Sequence, residues 1–77
     1  MKILTINTTN YKINILFTED MNKYKDLKFN IIFHISEYDK FKKLFDTEYI
    51  YNKYTIIMIK SYKDKRITFE QLKSLIF

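Results

Sequence analysis

Seventy-seven residues carry 14 Lys and Arg against 9 Asp and Glu, a net charge of +5, with 47% hydrophobic and 18% aromatic residues. Gly, Ala, Val, Pro, Cys and Trp are all absent. Without Gly, phosphate-cradling loops, dinucleotide fingerprints, glycine-bearing nucleophile elbows and EF-hand loops are excluded, because each needs backbone that turns through positive φ or approaches a ligand closely. Without Cys, disulfides, thiol nucleophiles and zinc fingers go as well.

A chain of this length is one domain, residues 1–77, near the lower limit for folding without staples. Thirteen Ile and 14 aromatic residues must supply its core, and some tyrosines are left over for the surface or an interface. The longest pure apolar run is Ile56-Ile57-Met58-Ile59, far short of the roughly 20 residues of a membrane span. The segment Met1 to Asn7 is too short and too polar for a signal peptide, so a cytoplasmic location and no membrane partner are expected. The missing residue types also have a genetic reading. Ile, Lys, Asn, Tyr and Phe supply 46 of the 77 residues, and all five have A/T-rich codons. That fits a low-GC bacterium, its phages or another mobile element, and it discounts the lysine content as a sign of nucleic-acid binding.

The first elements read as strands. Residues 1–18 predict a hairpin about the turn Asn7-Thr8-Thr9-Asn10, with Asn in the role usually given to Gly, and Tyr11, Ile13, Ile15 and Phe17 then alternate with Lys12, Asn14, Leu16 and Thr18. Glu19 to Asp26 reads as a loop or a single helical turn. Leu27, Phe29, Ile31, Phe33 and Ile35 alternate with Lys28, Asn30, Ile32 and His34, as in a half-buried strand. At Ser36 the period changes. Ser36 with Asp39 resembles a capping box, and Tyr38, Phe41, Leu44 and Phe45 form a helical stripe. Tyr49 to Ser61 reads as a strand covered on both faces and therefore interior. Thr68 and Gln71 cap a final helix, with Ile67 and Leu72 as its hydrophobic staple and Phe69, Leu72, Leu75 and Ile76 as its buried stripe.

The expected fold is α+β, a small two-layer sandwich in the order ββ-β-α-β-α. Its four-stranded sheet is mostly antiparallel, with two helices on one face. Strands 1 to 3 are expected to be antiparallel neighbours, with a parallel crossover from strand 3 to strand 4. The uncovered sheet face carries Lys12, Asn14, Lys28, Asn30, Ile32 and His34. If strand 1 or 2 lies at an edge, it offers backbone pairing to a partner or to a second copy.

Chemistry-bearing residues are few. His34 is the one imidazole, so acid–base catalysis would fall on it, with Ser36 or Glu37 in reach; Ser36 is better explained as a cap. The nine carboxylates show no metal-ligand spacing, and Asp26-Leu27-Lys28 and Asp64-Lys65 are chance-level matches to acid-then-lysine elements of metal nucleases. No cofactor or metal is expected. The basic excess lies late in the chain. Residues 49–77 hold six basic and two acidic residues, against eight and seven in residues 1–48. Lys53, Lys60, Lys63, Lys65 and Arg66 interleave there with Tyr49, Tyr51, Tyr54 and Tyr62. Lysine neutralises phosphate, and tyrosine stacks on bases or fills interface pockets. A lone Arg argues against dedicated base readout.

These features point away from an enzyme and toward a non-catalytic binding module of a phage or mobile element. It would dock on and inhibit a host or defence complex, in the manner of an anti-CRISPR, through those nine residues. A protein partner is favoured and a homodimer is compatible. With a charge of +5 the chain cannot mimic DNA, so it would bind an acidic protein patch, occlude a partner site or touch bound nucleic acid. The alternative is direct binding of RNA or single-stranded DNA by the same patch, and a third reading is a small nuclease or toxin using His34.

Overall fold

The apolar residues at every second position from Leu4 to Ile6 and from Ile13 to Phe17 need a common face to bury them, and a sheet provides it. The computed structural model describes residues 1–76. It runs β1 (Lys2–Thr8), β2 (Lys12–Thr18), β3 (Asn30–His34), α1 (Tyr38–Leu44), β4 (Ile50–Tyr51), α2 (Lys53–Lys63) and α3 (Phe69–Ile76). Short 3-10 turns occupy Met21–Lys23 and Ile35–Glu37. The fold is α+β, with one four-stranded sheet in the order β3-β2-β1-β4. Leu4, Ile6, Ile13, Ile15, Phe17, Ile31 and Phe33 from the sheet meet Phe41, Leu44, Ile56, Ile59 and Leu72 from the helices in one core. The Phe41 ring lies at its centre, 4.8 Å from Phe33 and 5.6 Å from both Phe17 and Phe45.

The hairpin of β1 and β2 forms as expected, with Leu4 opposite Ile15 and Ile6 opposite Ile13. Its turn is closed by Thr8, whose N–H and hydroxyl both donate to the Tyr11 carbonyl. The expected final helix also forms. The Thr68 N–H donates to Gln71 Oε1 at 2.8 Å and the Gln71 N–H donates to Thr68 Oγ1 at 3.1 Å, a reciprocal cap.

Several expectations are corrected. The sheet is mixed rather than mostly antiparallel, because β2 and β3 are parallel, as are β1 and β4. The segment from Glu19 to Phe29 is long enough for a crossover, which a parallel pair requires. It consumes Leu27 to Phe29 as a turn, so β3 starts at Asn30, and Leu27 and Phe29 are exposed instead of facing the core. β1 and β2 are the central strands in the order, but β4 covers only Asn7 and Thr8 of β1, so the stretch from Lys2 to Ile6 pairs with a strand on the β2 side alone. β3 and β4 lie at opposite edges rather than as parallel neighbours. The β3 edge is blunted by the crossover. Leu27 and Asn30 exchange backbone bonds, and Asp26 Oδ1 accepts from the Ile32 N–H at 2.8 Å.

The largest correction is at 49–61. Only Ile50–Tyr51 is strand, and the remainder begins α2, which makes three helices instead of two. The Asn52 side chain caps α2, its Oδ1 accepting from the Thr55 N–H at 2.9 Å. Ile56 and Ile59 are buried one turn apart, while Tyr54 and Ile57 face outward. A β-branched run therefore becomes a helix because the cap and the core contacts outweigh weak intrinsic propensity. The Ser36–Asp39 capping box is absent as well. His34 takes the capping role at the 3-10 turn before α1, its Nδ1 accepting from the Ser36 N–H. On the outer sheet face, Lys12, Asn14 and His34 are exposed as expected, Ile32 is buried, and Lys28 sits in the turn.

Candidate functional site

The nine lysines, arginine and tyrosines singled out in the sequence do not gather into one surface. Tyr51 and Tyr62 belong to the fold. The Tyr51 hydroxyl accepts from the Asp46 N–H at 2.9 Å, and its ring stands edge-on to Phe45. The Tyr62 hydroxyl donates to Glu37 Oε1 at 2.8 Å, and its ring packs against Phe33, Phe41 and Phe69. Tyr49 and Tyr54 remain at the surface, 60% and 56% exposed. Lys63 pairs with Asp26 and so ties α2 to the crossover. Lys65 and Arg66 form the turn between α2 and α3. Lys53 and Lys60 are exposed on α2.

α2 carries no carboxylate from Lys53 to Lys63. Lys53, Ile57 and Lys60 follow one another at helical spacing, so they share one face of α2, next to the buried edge marked by Ile56. That face borders a groove of about 410 Å³ lined by Tyr11, Lys28, Phe29, Lys53, Ile57 and Lys60, together with Asn10, Ile13 and Ile56. The volume falls within the range of small-ligand sites, ~300–1,000 Å³. Phe29 and Ile57 offer it apolar surface, 42% and 46% exposed. The Tyr11 and Phe29 rings lie 5.5 Å apart, tilted by 55°. No acidic side chain lines the groove. Among the described residues the ion pairs are Lys40 with Glu37 and Lys63 with Asp26, so Lys28, Lys53 and Lys60 are in neither.

Local backbone bonds fix this groove. The Leu27 N–H donates to the Asn30 carbonyl at 2.9 Å and the Asn30 N–H donates back at 3.2 Å, which holds Lys28 and Phe29 at the tip of a tight turn. The Asn14 N–H donates to the Phe29 carbonyl at 2.9 Å and joins that tip to β2. Sequence reasoning missed Tyr11, Lys28, Phe29 and Ile57. Phe29 and Tyr11 read as core positions of alternating strands, and Ile57 as one face of a strand. The one signal pointing elsewhere was the pair Asp26 and Asn30 flanking Leu27 to Phe29, since both types favour turns.

A second recess, about 510 Å³, lies on the other side of α2 and includes Phe33, His34, Glu37, Tyr62, Lys65 and Arg66. Here His34 and Glu37 have partners. His34 Nδ1 accepts from the Ser36 N–H and lies 2.8 Å from Ser36 Oγ. The serine is therefore within reach of the imidazole, in a local capping arrangement two residues apart. Glu37 accepts from Tyr62 through one oxygen, and its other oxygen lies 3.0 Å from Lys40 Nζ. Burial, then the bond to Glu37, raises the Tyr62 pKa above its ordinary value. The hydrogen bond to Glu37 likewise raises that of Lys40, against a smaller opposing effect of burial.

Among the described residues, no three or more His, Cys, Asp or Glu side chains are placed together to hold a metal ion. No helix is long and apolar enough to cross a membrane. Against family models, curated proteins and solved structures alike, the chain finds no match.

Proposed function

We propose that this chain is a non-catalytic binding module that docks on an acidic protein surface through the outward face of α2. The observation that carries this reading is the composition of that face. Tyr54 and Ile57 are left exposed between Lys53 and Lys60 on a helix with no carboxylate of its own. Exposed aromatic and aliphatic groups framed by one sign of charge suit a protein interface, in which the apolar atoms supply burial and the charges select the partner. The wider proposal is an inhibitor from a phage or mobile element that occupies such a surface on a host or defence complex. Support for a non-catalytic role comes from the recess at His34, where the carboxylate that could orient an imidazole is bonded to Tyr62 and paired with Lys40 instead.

The test is affinity capture from host lysate with nuclease present, comparing the parent chain with Tyr54→Ala and with Ile57→Glu. The parent is expected to retain a specific protein that both variants lose. Equal retention by all three would overturn docking through α2.

A further inference from the structure

We infer that the groove between α2 and the Leu27–Asn30 turn binds single-stranded nucleic acid, with a base on the Phe29 ring and phosphates on Lys28, Lys53 and Lys60. This goes beyond the protein-docking reading: it shares Lys53 and Lys60 with that face but rests on Lys28 and Phe29, which docking does not use. Two observations meet in this groove. The first is charge. Three lysines surround it with no acidic side chain in its lining. Lys28 and Lys60 also border an adjoining recess that holds Asp26 and Asp64, but among the described residues none of the three lysines is in an ion pair. A polyanion gains by displacing the counterions such a cluster holds.

The second observation is the flat surface. Phe29 sits at the tip of a two-residue turn closed by Leu27 and Asn30, its carbonyl accepting from the Asn14 N–H, with the side chain partly exposed and its ring against Tyr11. A fixed ring loses little freedom when a base stacks on it, and stacking is tolerant of sequence because every base has a π-face. Lys28 Nζ lies over the Phe29 ring, 5.3 Å from its centroid, so a base stacking on that face takes the place of the ammonium, which is then available to a phosphate. A duplex keeps its bases stacked inside and cannot present one to Phe29. An acidic peptide satisfies the lysines but has no need of the ring. One Arg in the whole chain, Arg66, lies outside this lining, which fits backbone and stacking contacts without base readout.

Fluorescence anisotropy with labelled oligo(dT) and oligo(U) of about twelve nucleotides tests this, against a duplex of equal length. Binding at about 50 mM salt should favour the single strands over the duplex. The slope of log K against log salt should be about −2, as expected for three phosphates neutralised on a single strand. Lys60→Ala should make that slope shallower by about 0.7. Phe29→Leu keeps an apolar side chain but removes the flat face, so it should weaken binding about tenfold with the slope unchanged. Tyr54→Ala lies outside the groove lining and should bind the strands normally, which separates this site from protein docking. No binding at low salt, tighter binding of the duplex, full affinity in Phe29→Leu, or displacement by poly-glutamate at equal charge would overturn the inference.

Discussion

The two recesses on either side of α2 carry similar basic charge and differ in what that charge does. At His34, Lys63 is paired with Asp26, Glu37 with Tyr62 and Lys40, and His34 with Ser36, which leaves Lys65 and Arg66 in the turn after α2 outside these pairs. At Phe29, Lys28, Lys53 and Lys60 surround apolar surface and are in no ion pair among the described residues, and the backbone bonds of a tight turn hold the segment in place. A basic residue within the folding network is already committed. The difference teaches that a candidate site is marked less by the density of charge than by charge left over once the fold has been satisfied.

The sharpest way to break this comparison is to remove one side chain from each recess. Tyr62→Ala deletes a ring packed against Phe33, Phe41 and Phe69 and frees Glu37 from its hydroxyl partner. Truncation of an aromatic packed into a core costs about 3 kcal/mol, a large share of the stability of so small a domain. Lys53→Ala and Lys60→Ala should each stay within about 0.5 kcal/mol of the parent, because both sit on the solvent face of α2. Urea unfolding followed by far-UV circular dichroism reads the contrast. Equal losses on the two sides would end the distinction between structural and free charge.

A smaller effect sharpens it further. Among the described residues Lys65 alone has positive φ, at 61°. It closes α2 in a Schellman arrangement: the Lys65 N–H donates to the Tyr62 carbonyl, and the Arg66 N–H to that of Ser61. Glycine is the residue usually found there, because a Cβ in the left-handed region costs energy. Lys65→Gly should therefore stabilise the fold by about 0.5–1 kcal/mol. The same substitution should leave strand binding unchanged, since Lys65 lines the His34 recess rather than the groove. A rise in the unfolding midpoint with equal anisotropy curves is the expected pair of results.

Lys65 also shows where the sequence was legible and where it was not. Local rules located the Leu4–Ile15 hairpin and the Phe41 helix by their apolar period, although the expected Ser36–Asp39 cap of that helix does not form, and the last helix by its Thr68–Gln71 cap. They failed where two periods fit the same residues. Ile56, Ile57, Met58 and Ile59 satisfy a doubly covered strand as well as a helix, and only the Asn52 cap and the core beneath Ile56 and Ile59 decide between them. The groove was illegible for a related reason. Phe29 continues the alternation of β3 on paper, but the parallel crossover claims it for a turn, and sheet direction is not encoded in local pattern. Asn was expected to replace Gly in the turns, yet no Asn among the described residues has positive φ, and the left-handed position falls to a lysine.

The smallest expected effect is alkaline. The Tyr62 and Lys40 pKa values are both raised above their ordinary 10.0 and 10.5, Tyr62 mainly by burial and Lys40 mainly by its bond to Glu37. A raised value means that the native state holds the proton more tightly than the unfolded chain. The resulting stability is fully present below the unfolded value and is lost as pH rises through the folded one. Stability should hold to about pH 9 and then decline as pH passes about 10. Tyr62→Phe keeps the packed ring but has no proton to lose, so its stability should fall less steeply over that window. Urea midpoints measured across the window for both proteins decide the matter. Parallel declines would show that Tyr62 is not a source of the pH dependence and that the Glu37 contacts on the His34 side of α2 contribute less to the fold than their geometry implies.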